Sequence, residues 1–158
     1  MTDQSKWRKR FQGHMSRWTA PREAILELLS RTSKHMSAKD IYSALARIDM
    51  CIGLTTIYRT LDLLHRMAII NKVVLRDGEA KYQMKSEGPR GHHHHLICSN
   101  CGRIIDYSEF EREELNFIRK TEVLLSKKYR FAIHDHNIDF FGICEQCQEL
   151  KRKEEENP

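Results

Sequence analysis

Two Cys-x-x-Cys pairs, Cys98-Ser99-Asn100-Cys101 and Cys144-Glu145-Gln146-Cys147, constrain this chain more than any other feature of it. Together they offer four thiolates, the number that a tetrahedral structural zinc takes. The short loop within each pair lets two sulfurs converge on one ion without strain. A single pair would suit a redox dithiol or ordinary core cysteines as well. Two pairs favour zinc over both. Cys98, Cys101, Cys144 and Cys147 are therefore expected to form a closed structural Zn2+ site. The fifth cysteine, Cys51, has no partner in sequence and reads as a small packing residue.

Directly before Cys98 stand four consecutive histidines, His92 to His95. If residues 92–98 form a strand, alternate side chains point to opposite faces. His93 and His95 then share one face, and His92 and His94 share the other. One strand could thus serve two separate metal sites, each completed from elsewhere in the chain. A loose, exposed histidine run is the plainer alternative, but this run leads straight into Leu96-Ile97-Cys98.

The chain has 158 residues, enough for one ordinary domain or two small ones. No apolar run is long enough to span a bilayer, and the first residues lack the apolar core of a signal peptide. The expectation is a cytoplasmic protein without a membrane partner. Its net charge of +5 divides unevenly. Residues 1–85 hold 16 Lys and Arg against 8 Asp and Glu, whereas residues 86–158 hold 11 against 14. A basic half joined to a mildly acidic one points to a nucleic-acid reader coupled to a second function, provided the basic half carries a DNA-binding pattern.

It does. Residues 1–14 place Lys6, Arg8, Lys9 and Arg10 around Trp7 and Phe11, which fits a short basic amphipathic helix or an arm near phosphates. Thr19-Ala20-Pro21-Arg22-Glu23 reads as a helix start. Ser37-Ala38-Lys39-Asp40 has the capping-box form and precedes Ile41, Leu45 and Ile48 at helical spacing. Thr55 or Thr56 can cap a third helix, striped by Ile57, Leu61 and Leu64. Its other face presents Thr56, Tyr58, Arg59 and Asp62, where a recognition helix meets bases and phosphates. Residues 68–75 and 80–84 flank Asp77-Gly78, a strong hairpin signal. Three helices and a hairpin make a winged helix.

The fold class expected is α+β, in four parts: a winged-helix domain over 1–84, a hinge over 85–91, a metal-binding domain over 92–149, and a charged tail over 150–158. The second domain should run as strands near 92–98, 103–107 and 137–143 with a long helix over 109–129. Leu115, Phe117, Ile118, Leu124 and Leu125 give that helix more apolar surface than one small sheet needs, so an intermolecular interface is expected. The almost wholly charged tail is expected to lack regular structure.

At this point the residues resemble the ferric uptake regulator family over about 15–148. The matching pieces are Arg17-x-Thr19-x-Pro21-Arg22, His35-Met36-Ser37-Ala38, residues 53–61, the histidine run with Leu96-Ile97-Cys98-x-x-Cys101-Gly102, and Phe141-Gly142-Ile143-Cys144-x-x-Cys147. The resemblance implies a homodimer in which the winged helix binds double-stranded operator DNA with two half-sites and the second domain dimerises. It implies a regulatory metal held by His35, His93, His95 and Asp106. Gln83 stands where the family usually has an acidic ligand. An amide brings no charge, and Glu79 or Glu87 could substitute. The resemblance implies a second metal site of His92, His94, Glu113 and His136, with His134 as a competitor of His136. Both donor sets suit iron(II), zinc or manganese(II). For DNA it points to Tyr58 and Arg59, with Thr55 or Thr56 near the backbone and Arg17 and Arg22 beside the groove.

The function implied is a metal-dependent transcriptional repressor, with Fe2+ as regulatory ion and iron uptake as the controlled process. A peroxide-sensing repressor is the nearest alternative, since Asp106 is shorter than the glutamate common in iron sensors. A zinc-uptake regulator follows. Enzymatic roles, a zinc enzyme or a thiol oxidoreductase, are disfavoured. No general base stands out, and a closed four-cysteine site has no open position. No catalytic residues and no small-molecule substrate are expected.

Overall fold

The computed structural model describes residue 11, residues 17–85, residues 94–107, residues 111–134 and residues 136–156. The basic segment around Trp7, the hinge with Glu87, and His92 and His93 lie outside the described residues. The chain divides into two compact units, Met1–Pro89 and Arg90–Pro158.

The first unit is a winged helix. Helix α1 (Ala20–Ser30) follows Thr19, whose extended backbone serves as N-cap without a side-chain hydrogen bond, and Pro21 sits in the first turn. A two-residue strand β1 (Met36–Ser37) leads into α2 (Ala38–Ala46). The capping box forms as expected: Asp40 N–H donates to Ser37 Oγ at 3.1 Å, and Ser37 N–H donates to Asp40 Oδ2 at 2.8 Å. Those bonds favour the ionised carboxyl, and the Ser37 backbone N–H does most to hold Asp40 below its ordinary 3.8.

Helix α3 (Leu54–Arg66) starts two to three residues earlier than a cap at Thr55 or Thr56 would place it. Gly53 is its N-cap, and the amides of Thr56 and Ile57 donate to the Gly53 carbonyl at 2.9 and 3.2 Å. Thr55 and Thr56 therefore lie inside the first turn, exposed, rather than capping it. Strands β2 (Ile70–Val74) and β3 (Ala80–Met84) form the hairpin. Gly78 supplies the positive φ of +86° that its turn demands, where an L side chain would be strained. The sheet order is β1-β3-β2, with Met36 opposite Tyr82. Ile25, Leu29, Ile41, Leu45, Ile57, Leu61, Leu64 and Ile70 fill a core that also takes in Phe11, which meets Trp18 edge-on at 5.0 Å.

The second unit is built on a three-stranded sheet ordered β5-β4-β6. Strand β4 (His94–Cys98) pairs antiparallel with β5 (Ile104–Tyr107) and parallel with β6 (Asp139–Gly142). The parallel pairing needs a crossover, which α4 (Glu111–Tyr129) supplies. Glu114, Leu115, Ile118 and Glu122 recur at helical spacing on its inner, partly or fully buried side. The outer side keeps Phe117 72% and Leu124 68% exposed.

Residues 150–156 correct the expectation of an unstructured tail: they belong to α5 (Glu145–Glu156). Its first turn starts inside the second cysteine pair, where the Gln148 amide donates to the Cys144 carbonyl at 3.0 Å. Nucleation, the costly step in helix formation, is thereby met by the cysteine loop, and Lys, Arg and Glu propagate a helix well. Among the described residues no helix is long and apolar enough to cross a membrane.

Candidate metal centre and nucleic-acid interface

In the second unit the Sγ atoms of Cys98, Cys101, Cys144 and Cys147 all lie within 4.8 Å of one another. Cys101 and Cys144 are 3.7 Å apart. A tetrahedron of sulfurs about 2.3 Å from a central zinc has edges of roughly 3.8 Å, so the donor set fits such an ion. Gly102, at a φ of +68°, turns the chain behind the first pair, and its amide returns to the Cys98 carbonyl at 2.9 Å.

The thiols are electrostatically uneven. Cys98 Sγ accepts the Cys144 amide at 3.3 Å. That amide, followed by those of Cys101 and Asn100, outweighs burial and lowers the Cys98 thiol to about 6. Cys147 is drawn down by the Asn100 side chain, but its neighbours Cys144, Cys101 and Cys98, together with burial, push it up to about 11. Four thiolates cannot share this space without a cation to balance them.

The histidines of β4 are buried, not a loose run. Alternation sends His94 and His95 to opposite faces, as the strand period requires. His95 Nδ1 lies 2.8 Å from Asp139 Oδ1, and its Nε2 lies 3.5 Å from Asp106 Oδ1. Asp106 is thus brought beside His95 by the antiparallel register that sets the two opposite each other.

His94 Nδ1 contacts Glu114, whose other oxygen accepts the Tyr107 hydroxyl at 3.0 Å. His94 Nε2 is buried and makes no hydrogen bond among the described residues. The carboxylate at this histidine is therefore Glu114, and Glu113 is exposed on another side of α4. His136 is partly buried with Nδ1 3.0 Å from Glu122 Oε1, whereas His134 is exposed. Glu114, Glu122 and Asp139 were all missed from sequence. A helical phase taken from Leu115 and Ile118 would have pointed to Glu114 and Glu122, which stand four residues to either side of Ile118. Asp139 had no such local signal.

Within the first unit, His35 is partly buried directly before β1. Gln83, on β3, is buried, and its amide donates to the Ser33 carbonyl at 2.7 Å. That bond ties β3 to the segment carrying His35, and it commits the amide nitrogen to a structural contact. Glu79, partly buried, sits at the other end of the hairpin strand, where its backbone closes the turn with Leu75.

On the same unit, the exposed face of α3 opens onto a concavity of about 790 Å³ lined by Lys39, Tyr58, Arg59, Asp62, Lys72 and Tyr82 among others. Tyr58 is 49% exposed, and Thr55, Thr56 and Arg59 are exposed beside it. Cationic and hydroxyl groups around such a helix suit phosphate and base edges. Arg17 is exposed ahead of α1. The Arg22 guanidinium instead turns inward, donating to the Arg17 carbonyl and lying 5.9 Å over the Phe11 ring.

Comparison with known proteins accounts for both halves. Residues 14–141 match the model of the ferric uptake regulator family. The ferric uptake regulation protein of Bacillus subtilis is 33% identical over 141 residues, 89% of this chain and 91% of that protein. The ferric uptake regulator Fur of Helicobacter pylori, whose structure is described as having three functional metal-binding sites, aligns with a TM-score of 0.71 at 26% identity, covering 91% of this chain and 90% of that one. A zinc-bound manganese uptake regulator aligns with a TM-score of 0.59 at 26% identity, covering 87% of this chain and 97% of that one. A winged helix, a four-cysteine cluster and histidines buried against carboxylates thus sit in a chain that belongs to the ferric uptake regulator family, a family of metal-responsive transcription regulators.

Proposed function

We propose that this chain is a metal-dependent transcriptional repressor that controls iron uptake, binding operator DNA as a homodimer when Fe2+ occupies a regulatory site. The observation that carries the reading is the buried His95 of the second unit, 5% exposed, with one carboxylate at each ring nitrogen. A buried imidazole facing carboxylates is a donor set for a divalent ion rather than packing material. In this reading His93, His95 and Asp106 join His35 of the winged helix. A metal held by groups from both units favours the arrangement that satisfies all of them, and linkage makes metal and operator support each other. Gln83 supports the segment that carries His35 and is at most an accessory ligand.

Cys98, Cys101, Cys144 and Cys147 hold Zn2+, which supplies charge balance and a cross-link between the strand β4 turn and α5. A second regulatory site is formed by His92, His94 and His136, with Glu114 in place of Glu113. Arg59 and Tyr58 contact bases and phosphates of each half-site, Thr55, Thr56 and Arg17 lie along the backbone, and Arg22 stabilises the start of α1. The exposed Phe117, Leu124, Phe131 and Phe140 of the second unit support the homodimer, because a monomer would leave those large apolar side chains in water.

A peroxide-sensing repressor is the second reading, favoured by the short Asp106 carboxylate 3.5 Å from His95. Anaerobic operator-binding titrations of zinc-loaded protein with iron(II), manganese(II) or zinc(II), repeated after dilute peroxide, separate the two. Iron-activated binding that survives peroxide supports control of iron uptake. Loss of binding with added oxygen mass on His35 or His93 replaces it with peroxide sensing. Operator binding indifferent to every metal overturns both.

A further inference from the structure

We infer that Asp139 is a positioning residue for the regulatory site: it holds the Nδ1–H of His95 and so aims Nε2 at the metal. The inference rests on the reading of His95 as a regulatory ligand and extends it to a residue on a different strand.

The geometry selects one tautomer. His95 Nδ1 to Asp139 Oδ1 is 2.8 Å, a normal hydrogen-bond length, whereas His95 Nε2 to Asp106 Oδ1 is 3.5 Å, too long for a good one. The shorter contact marks Nδ1 as the nitrogen whose proton Asp139 accepts. The Nε2 lone pair is then turned toward the Asp106 oxygen, two acceptors side by side, an arrangement that a cation stabilises. A carboxylate behind the imidazole also raises the basicity of the ligating nitrogen and locks the ring's rotation.

The backbone explains why Asp139 does this. In the parallel pairing of β4 and β6, His95 and Asp139 are register partners, and the His95 amide donates to the Ile138 carbonyl at 3.2 Å. Register partners in a sheet put their side chains on the same face. The Asp139 side chain is short, only 28% exposed, and needs no rotation of the strand to reach Nδ1. Asp106 approaches the ring from the opposite flank, on β5. One histidine in the central strand is thus gripped from one edge strand and faces a second carboxylate, Asp106, on the other.

The test uses full-length, zinc-loaded protein with manganese(II) as probe, its binding read from loss of the free-ion paramagnetic resonance signal. The His95 tautomer is read in parallel from long-range ¹⁵N–¹H couplings before manganese is added. Asp139→Ala is expected to weaken manganese binding by roughly ten- to a hundredfold and to mix the His95 tautomers, with cysteine-bound zinc retained. Asp139→Asn, which keeps an acceptor oxygen but no charge, should preserve the tautomer and fall between the two in affinity. If the alanine variant does not fold, Asp139→Ser serves as the truncation. Wild-type affinity and tautomer in the truncated variant overturn the inference. His95→Ala distinguishes the two levels. If it abolishes manganese binding while Asp139→Ala changes nothing, the site stands and the positioning role falls. If it leaves binding intact, the regulatory assignment of His95 falls, and Asp139 with it.

Discussion

The two units of this chain are stabilised by different means. The winged helix buries Ile25, Leu29, Ile41, Leu45, Ile57, Leu61, Leu64 and Ile70 in one contiguous core, with Phe11 drawn in from the basic N-terminal segment. Among the described residues of the second unit, the buried apolar side chains are Ile97 and Leu115, joined by Cys98 and Cys147. The other groups buried there are His94 and His95, which are polar, while Phe117, Leu124, Phe131 and Phe140 face outward. Hydrophobic burial suffices for the first unit. The second buries little apolar surface among its described residues, and in the proposed reading zinc at its thiolates and a partner over its outer face supply the rest. Such a division suits a sensor, because the half that must respond to metal is the half that metal stabilises.

The comparison breaks first at the cysteines. Cys147→Ser should unfold the second unit, since the binding free energy of a structural zinc, about 10–16 kcal/mol in small domains, is folding free energy there. Circular dichroism and zinc content should show a folded winged helix attached to a metal-free, disordered remainder. Leu61→Ala should do the opposite. It removes a fully buried side chain of α3, lowering the stability of the first unit by about 2–5 kcal/mol while zinc content stays unchanged. Denaturant melts followed in each unit separately would show it.

Smaller effects sharpen the contrast. Phe117→Asp, at an exposed and therefore foldable position, should weaken self-association by more than about tenfold without altering zinc content, as sedimentation at graded concentrations would measure. Ser37→Ala removes the hydroxyl's bonds in the capping box, leaves the backbone bond to Asp40, and should cost the winged helix about 1 kcal/mol. The sign with pH follows. Asp40 titrates below its ordinary 3.8 when folded, so its contribution is present above that value and is lost as pH falls through the lower folded value. Acid titration of stability should show that loss in the native chain and a weaker one in Ser37→Ala.

What was legible in the sequence was local. The cysteine pairs, the Ser37–Asp40 cap and the Asp77-Gly78 turn each rest on a few adjacent residues, and each forms as their chemistry requires. The opposite facing of His94 and His95 follows from the strand period alone. Glu114 was legible in principle but was displaced by Glu113, because the choice depends on the phase of α4 rather than on the acidic run that contains both. Asp139 was not legible, since parallel register is set by the crossover and by packing, neither of which leaves a local pattern. Residues 150–156 misled because composition favours solvation equally for a coil and a polar helix, and the helix owes its nucleus to the cysteine loop before it.

Backbone hydrogen exchange of the zinc-loaded protein, before and after removal of zinc by a chelator under reducing conditions, tests this division of labour most directly. Amides of α3 and the β2–β3 hairpin should keep their protection, while those of β4, β5 and β6 lose theirs. Equal loss in both units, or protected amides throughout the second unit without zinc, would contradict it.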